Sequence, residues 1–179
     1  MIYVPKRALF IHVPRAAGNS VSNAIASSCV GQGFDIMVCN NPNEFKGNWS
    51  HTFNTHARAF RLKKVISEWD EIFKFAIFRS EEERLKSAMS LVYRDIENKA
   101  YENPAIDPAW AKVLTEQSCR AKFYEDTKAQ DFDFFTRSYD RVLDLGVEAV
   151  PYEELSDRWH EICNKCQIPI SDLPHLNKR

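Results

Sequence analysis

Apolar residues in this chain fall in short blocks whose periodicity switches between strand-like and helix-like. Ala8–Val13 is apolar except for His12 and reads as a strand buried on both faces. Val21, Ala24, Ile25 and Cys29 then recur at helical spacing, and Gly31 and Gly33 break that helix. Phe34–Cys39 fits a second strand, and Asn40–Ser50 reads as loop from its Asn-Asn-Pro-Asn start. Leu62, Val65, Ile66 and Trp69 carry a predicted helix over 57–69. Phe73-Lys74-Phe75-Ala76-Ile77-Phe78 is the clearest strand, nearly apolar throughout, as a central parallel strand should be. Ser80 followed by Glu83 makes a capping box, which starts a helix that runs to about Asn98. Pro104 to Pro108 marks a loop before a helix over about 109–122. Arg141–Leu143 and Glu148–Val150 are short strand candidates around Gly146, and Glu154–Cys166 is the last helix, ended near Pro169. Strands alternating with helices predict an α/β layered fold: a single domain over 1–179 with a central, mostly parallel sheet flanked by helices.

Composition narrows the partners. A chain of 179 residues with 44% apolar content can bury a substantial core. A formal net charge of −1 gives no global field for nucleic acid or an anionic membrane, so neither is expected as a partner. Charge is uneven locally. Lys6, Arg7 and Arg15 precede the first acidic residue, Asp35, and Arg58, Arg61, Lys63 and Lys64 form a second cluster that reads first as a solvated helix face. Local basic patches on a neutral protein suit a small anionic ligand. The five cysteines have no regular spacing, and Cys163 and Cys166 lack the second pair that a zinc site needs, so no metal is expected. They read as core and surface thiols of a reducing compartment. The first apolar run is too short for a signal peptide or a membrane span, and the chain is read as cytoplasmic.

The candidate chemistry lies where two strands end. After the strand at 8–13 come Pro14, Arg15, Ala16, Ala17, Gly18, Asn19 and Ser20, and then a helix starts. Strand, tight loop and helix N-terminus together build an anion cradle: loop and first-turn N–H groups converge, the helix dipole favours negative charge, and small side chains let the backbone approach. Arg15 adds a fixed charge and a planar donor fork. The plain alternative is an ordinary strand–turn–helix with a surface arginine. No Gly-x-x-x-x-Gly-Lys-Ser/Thr string occurs, which argues against a small-molecule kinase, and there is no Gly-x-Gly-x-x-Gly fingerprint. Arg79 follows the strand at 73–78, and Ser87 lies eight residues further on, about two turns into the next helix. In open α/β sheets, ligands bind beyond the carboxyl ends of the strands, where both segments fall.

These residues resemble a known family. Phe10-Ile11-His12-Val13-Pro14-Arg15-Ala16-Ala17-Gly18-Asn19-Ser20 is similar to the 5′-phosphosulfate loop of sulfotransferases, Phe-Ile-His-Ile-Pro-Lys-Thr-Gly-Gly-Thr-Ser. The stretch from Phe75 to Ala88 resembles their 3′-phosphate element, Phe-x-Phe-Val-Arg-Asn-Pro-x-x-Arg-Leu-x-Ser-Ala, with the same Arg-to-Ser spacing. Val150-Pro151-Tyr152-Glu153-Glu154-Leu155 looks like the family's late strand ending in Tyr/Phe-Glu-x-Leu, and Leu173-Pro174-His175-Leu176-Asn177 resembles a Leu-Pro-His-x-Asn near the end of many members. The carbohydrate (Golgi-type and bacterial) sulfotransferases are the group most resembled.

The resemblance implies a P-loop nucleotide-kinase-like sulfotransferase fold and the donor 3′-phosphoadenosine 5′-phosphosulfate (PAPS), with no metal. It implies that Arg15, Ala16, Ala17, Gly18, Asn19 and Ser20 hold the 5′-phosphosulfate, and Arg79 and Ser87 the 3′-phosphate. The acceptor would be a hydroxyl, a sugar for preference, and Arg58, Arg61 and Lys63 could steer an anionic one. A histidine is the expected base. Thr55-His56-Ala57-Arg58-Ala59 resembles the context of a candidate base in the carbohydrate enzymes, which puts His56 first and His51 second; a helix-cap or surface histidine is the plain alternative. Arg15 stands where the family has lysine, and an arginine cannot donate a proton at neutral pH. Two readings follow: an active sulfotransferase with Arg15 in a catalytic role, or a catalytically impaired relative that binds the donor without turnover. Ser80-Glu81 replaces Asn-Pro, and three consecutive glutamates should weaken anion binding unless their side chains point away.

Overall fold

The computed structural model describes residues 1–38, 59–106, 108, 111–112, 114–115 and 145–173. They form two compact units: Met1–Arg79 with Ser138–Arg179, and Ser80–Arg137. The first unit is built on five strands, β1 (Ile2–Val4), β2 (Ala8–Ile11), β3 (Met37–Val38), β4 (Phe73–Phe78) and β5 (Glu148–Pro151). Its helices are α1 (Gly18–Val30), the single turn α2 (Ala59–Leu62) and α4 (Leu155–Lys165). The second unit carries α3 (Glu81–Glu97) and a short 3₁₀ turn, Ala100–Glu102.

The sheet order is β3-β1-β2-β4-β5. β2, β4 and β5 run parallel, whereas β1 pairs antiparallel with both β2 and β3. The α/β class and the parallel heart agree with the apolar patterning, but one side of the open sheet is antiparallel. Leu9, Phe10, Phe75, Ala76 and Ile77 are buried, as continuous apolar runs in central strands require. β1 was not foreseen. Pro5 followed by left-handed Lys6 (φ 61°) makes the turn a tight hairpin needs, and the Arg7 N–H donates to the Val4 carbonyl at 3.1 Å. The parallel ladder sets Ile11 opposite Ala76, and Phe78 opposite Pro151, so β2, β4 and β5 end along one edge.

The helix predicted over 57–69 is corrected. Among the described residues regular helix covers only Ala59–Leu62, and the chain then descends in turns, with Lys64 N–H donating to the Arg61 carbonyl and Val65 N–H to that of Leu62. Leu62, Ile66 and Trp69 still enter the core, because successive turns place every third or fourth residue on one side as a helix does. Two hydrogen-bonded anchors hold this segment. Trp69 Nε1 donates to the Leu145 carbonyl at 3.1 Å, and buried Lys74 donates to the carbonyls of Trp69 (2.6 Å) and Ile72 (2.9 Å). Burial lowers the Lys74 pKa, opposed by Asp70.

The strand predicted over 8–13 stops pairing at Ile11, just before Pro14, which has no N–H to give. That predicted over 34–39 pairs only at Met37–Val38 among the described residues, and the last strand runs one residue past Val150, to Pro151. The last helix begins as a 3₁₀ turn at Tyr152–Glu154 before α4. Of the helix predicted over about 109–122, the described positions Ala111, Lys112, Leu114 and Thr115 are helical; Arg141–Leu143 lies outside the described residues.

α4 and the segment after it are tied to α1. Ser28 Oγ donates to the Pro169 carbonyl at 2.6 Å, Ser171 Oγ to that of Ala24 at 3.3 Å, and Trp159 Nε1 to that of Ser171 at 2.6 Å. Cys29, Cys163 and Cys166 are buried free thiols, and burial pushes the pKa of each upward, which makes them packing groups rather than nucleophiles. In the second unit, Ala88, Val92 and Leu114 form a separate buried cluster. Among the described residues no helix is long and apolar enough to cross a membrane, and no group of three or more His, Cys, Asp or Glu is placed to hold a metal ion.

Candidate anion-binding site

The loop between β2 and α1 adopts an unusual backbone. Arg15 (φ 63°) and Ala17 (φ 57°, ψ 16°) are both left-handed, although neither is glycine. Each such residue costs about 1–2 kcal/mol, so the surrounding contacts must hold the loop in place. One is the turn in which the Ala16 N–H donates to the Val13 carbonyl at 3.4 Å. A second is the packing of Gly18 on His12. A Cβ on Gly18 would lie 1.8 Å from both Cδ2 and Nε2 of His12. The imidazole thus occupies the space a side chain would need, and only glycine lets the helix start there.

α1 begins at Gly18 with Ala17 as its N-cap. Among the described residues no side chain caps this end, and no acidic residue lies in its first turn. The first intrahelical bond is from the Val21 N–H to the Ala17 carbonyl, at 3.2 Å. The N–H groups of Gly18, Asn19 and Ser20 precede it and have no intrahelical acceptor. Ala16 and Ser20 are buried, Arg15 and Ala17 half-buried, and Asn19 exposed. The end of β2 therefore presents a close backbone approach, first-turn donors and the positive pole of a helix, with Arg15 beside them.

The register brings Arg79 to the same place. It follows β4 directly, and its Nη1 donates to the Arg15 carbonyl at 3.5 Å, a long hydrogen bond. Its guanidinium also lies over the Tyr152 ring, 4.1 Å from the centroid. Its Nε is buried and has no acceptor among the described residues. A buried donor left unmatched costs about 1–3 kcal/mol and calls for an acceptor. An anionic ester at this edge would supply one, and the residues present fit such a group.

The remaining predicted residues divide by location. Ser87 belongs to the second unit and is half-buried in the second turn of α3. That helix is capped as expected: the Glu83 N–H donates to Ser80 Oγ at 3.2 Å, and Ser80 Oγ donates to Glu83 Oε2 at 3.1 Å. Two of the three glutamates thus have partners of their own, Glu83 at the cap and Glu82 with Lys86 at 2.5 Å. Arg61 and Lys63 are exposed. His51, His56, Arg58, His175 and Asn177 lie outside the described residues.

Two contributors were not foreseen. His12 was read as a residue of the first strand, and its packing on Gly18 depends on three dimensions. Tyr152 was noted only within a motif; that it meets Arg79 follows from the pairing of Phe78 with Pro151. Comparison with known proteins returns no match: no family model, curated protein or solved structure matches this chain.

Proposed function

We propose that this protein is a sulfotransferase that moves a sulfuryl group from PAPS to a hydroxyl acceptor, with a carbohydrate as the preferred acceptor class and the cytoplasm as its compartment. The observation that carries the reading is the contact between Arg79 and the Arg15 carbonyl, which joins the two family-like motifs at neighbouring strand ends. Arg15, Ala16, Ala17, Gly18, Asn19 and Ser20 would hold the 5′-phosphosulfate, and Arg79 the 3′-phosphate. The donor supplies an activated sulfuryl group, and its transfer is in line and largely a matter of positioning and charge stabilisation. The first-turn N–H groups of α1 stabilise the negative charge that develops on the departing 5′-phosphate as its bond to sulfur breaks and the acceptor oxygen takes the sulfuryl group. Arg15 holds a permanent positive charge there but hands over no proton. His56 accepts the proton of the acceptor hydroxyl, with His51 as its substitute.

Arg15 also favours a second reading, in which the protein binds the donor nucleotide without turnover. Both readings share one test. Calorimetry with 3′-phosphoadenosine 5′-phosphate is expected to show micromolar binding to the wild type and loss of binding in Arg79→Ala, with no binding of ATP. Tight binding of ATP with Mg²⁺, and none of the bisphosphate, would overturn the assignment. Turnover then separates the two: His56→Ala is expected to abolish sulfuryl transfer and leave nucleotide affinity unchanged, and transfer retained in that variant would move the base elsewhere.

A further inference from the structure

We propose that Tyr152 is a positioning residue for Arg79, fixing the plane of its guanidinium so that the fork faces the loop carrying Arg15. This rests on the functional reading above and names how that site is held. The parallel register dictates the encounter. Phe78 and Pro151 are partners across the β4–β5 ladder, so the residues that follow them, Arg79 and Tyr152, leave the sheet side by side. The guanidinium carbon sits 4.1 Å from the ring centroid, a stacking distance. From that position Nη1 reaches the Arg15 carbonyl, so Tyr152, Arg79 and Arg15 form one chain of contacts across three adjacent strand ends.

The physical consequence is orientation. An unsupported arginine samples many rotamers, and ordering it on binding costs affinity. A guanidinium held face-on to a ring keeps its N–H groups in its own plane, directed past the ring edge. Here the ring lies against the guanidinium and the Arg15 carbonyl takes one N–H, which leaves Nε as the buried donor without an acceptor among the described residues. Tyr152 itself is 38% exposed, so the ring is held at the surface of the unit rather than in its core. Its replacement therefore leaves the core around Val150 and Leu155 in place.

Two measurements test this. The first needs no ligand: in a heteronuclear spectrum of the full chain, the Arg79 Nε–Hε resonance is expected to carry a ring-current displacement that Tyr152→Phe keeps and Tyr152→Leu removes. The second is calorimetry with 3′-phosphoadenosine 5′-phosphate. Tyr152→Leu is expected to weaken binding about tenfold, the size of one lost cation–π contact, and Tyr152→Phe to bind within about twofold of wild type. In an Arg79→Lys background, which keeps the charge but loses the planar fork, Tyr152→Leu is expected to have no further effect. An Arg79 resonance insensitive to Tyr152→Leu, wild-type affinity in that variant, or an equal loss in both backgrounds overturns the inference while the functional reading stands. A wild-type protein that binds no bisphosphate nucleotide overturns that reading and the ligand-binding role of Tyr152 with it, whatever the Arg79 resonance does.

Discussion

Replacing Gly18 with alanine is expected to destabilise the protein by about 1–3 kcal/mol, the range for forcing extra volume into a packed site, and to abolish nucleotide binding. One methyl group has this effect because of where it would go. The new Cβ would stand 1.8 Å from two atoms of the His12 ring, whereas carbon atoms meet comfortably at about 3.5–4.0 Å. The ring has little room to retreat, being buried and stacked on Phe10 with centroids 6.1 Å apart. Helix propensity works the other way, since alanine gains up to about 1 kcal/mol over glycine in a helix, but that gain is smaller than the clash at this first helical position. Either the imidazole leaves its place or the start of α1 moves off the end of β2, and both displace the N–H groups proposed to hold the phosphosulfate. Urea denaturation of Gly18→Ala, His12→Ala and the double variant measures the coupling. The double variant should be more stable than the sum of the two losses, because removing the ring makes room for the methyl group. A Gly18→Ala protein with wild-type stability and wild-type nucleotide affinity would show that the close approach has no such role.

That close approach carried no sequence signal, whereas other features were plain in the sequence. The strand Phe73–Phe78 was found with its exact ends because a central parallel strand is buried on both faces, and an unbroken apolar run is the direct imprint of that burial. The capping box at Ser80 and Glu83 was equally plain, since it is a local interaction between residues three apart. The over-long helix at 57–69 has a different origin. Leu62, Ile66 and Trp69, three of the residues whose spacing carried that prediction, are buried, but a three-to-four-residue spacing is shared by a helix and by consecutive turns. β1 escaped because three residues followed by Pro-Lys-Arg carry too short a pattern to register.

At the site, what could be read was chemical and what could not was spatial. Arg15 and Arg79 stood out as cations after strands, and their segments were assigned to strand ends. Their meeting depended on β2 and β4 being neighbours with Ile11 opposite Ala76. The left-handed backbone at Arg15 and Ala17 had no sequence signal, since such conformations are marked by glycine or asparagine and here are imposed on other residues by the packing of the loop. Tyr152 was invisible as a partner of Arg79 for the same reason: the two lie far apart in sequence and are joined by the ladder.

Changing Arg15 to lysine is the substitution expected to change catalysis most, and it should increase it. The backbone of residue 15 has two tasks: it takes a left-handed turn and its carbonyl accepts from Arg79. Neither involves the side chain beyond Cβ, so both the turn and the backbone contact with Arg79 are open to lysine. What changes is the head group. Arginine spreads its charge over a planar fork and keeps its protons at any working pH, whereas lysine concentrates the charge on one atom that can sit against a single oxygen as negative charge develops there. Stabilisation confined to the transition state raises kcat and leaves ground-state affinity nearly alone. Arg15→Lys should therefore raise the rate of sulfuryl transfer about tenfold or more, less than the roughly hundredfold to thousandfold of a whole charge-stabilising donor because Arg15 already supplies part of that charge. Its affinity for 3′-phosphoadenosine 5′-phosphate should stay within a few-fold of wild type. Single-turnover transfer with a panel of sugar acceptors, measured beside calorimetry, reads both. A variant that binds nucleotide as tightly as wild type and is equally inert towards every acceptor would count against an arginine-limited enzyme and in favour of a protein that holds the donor without using it.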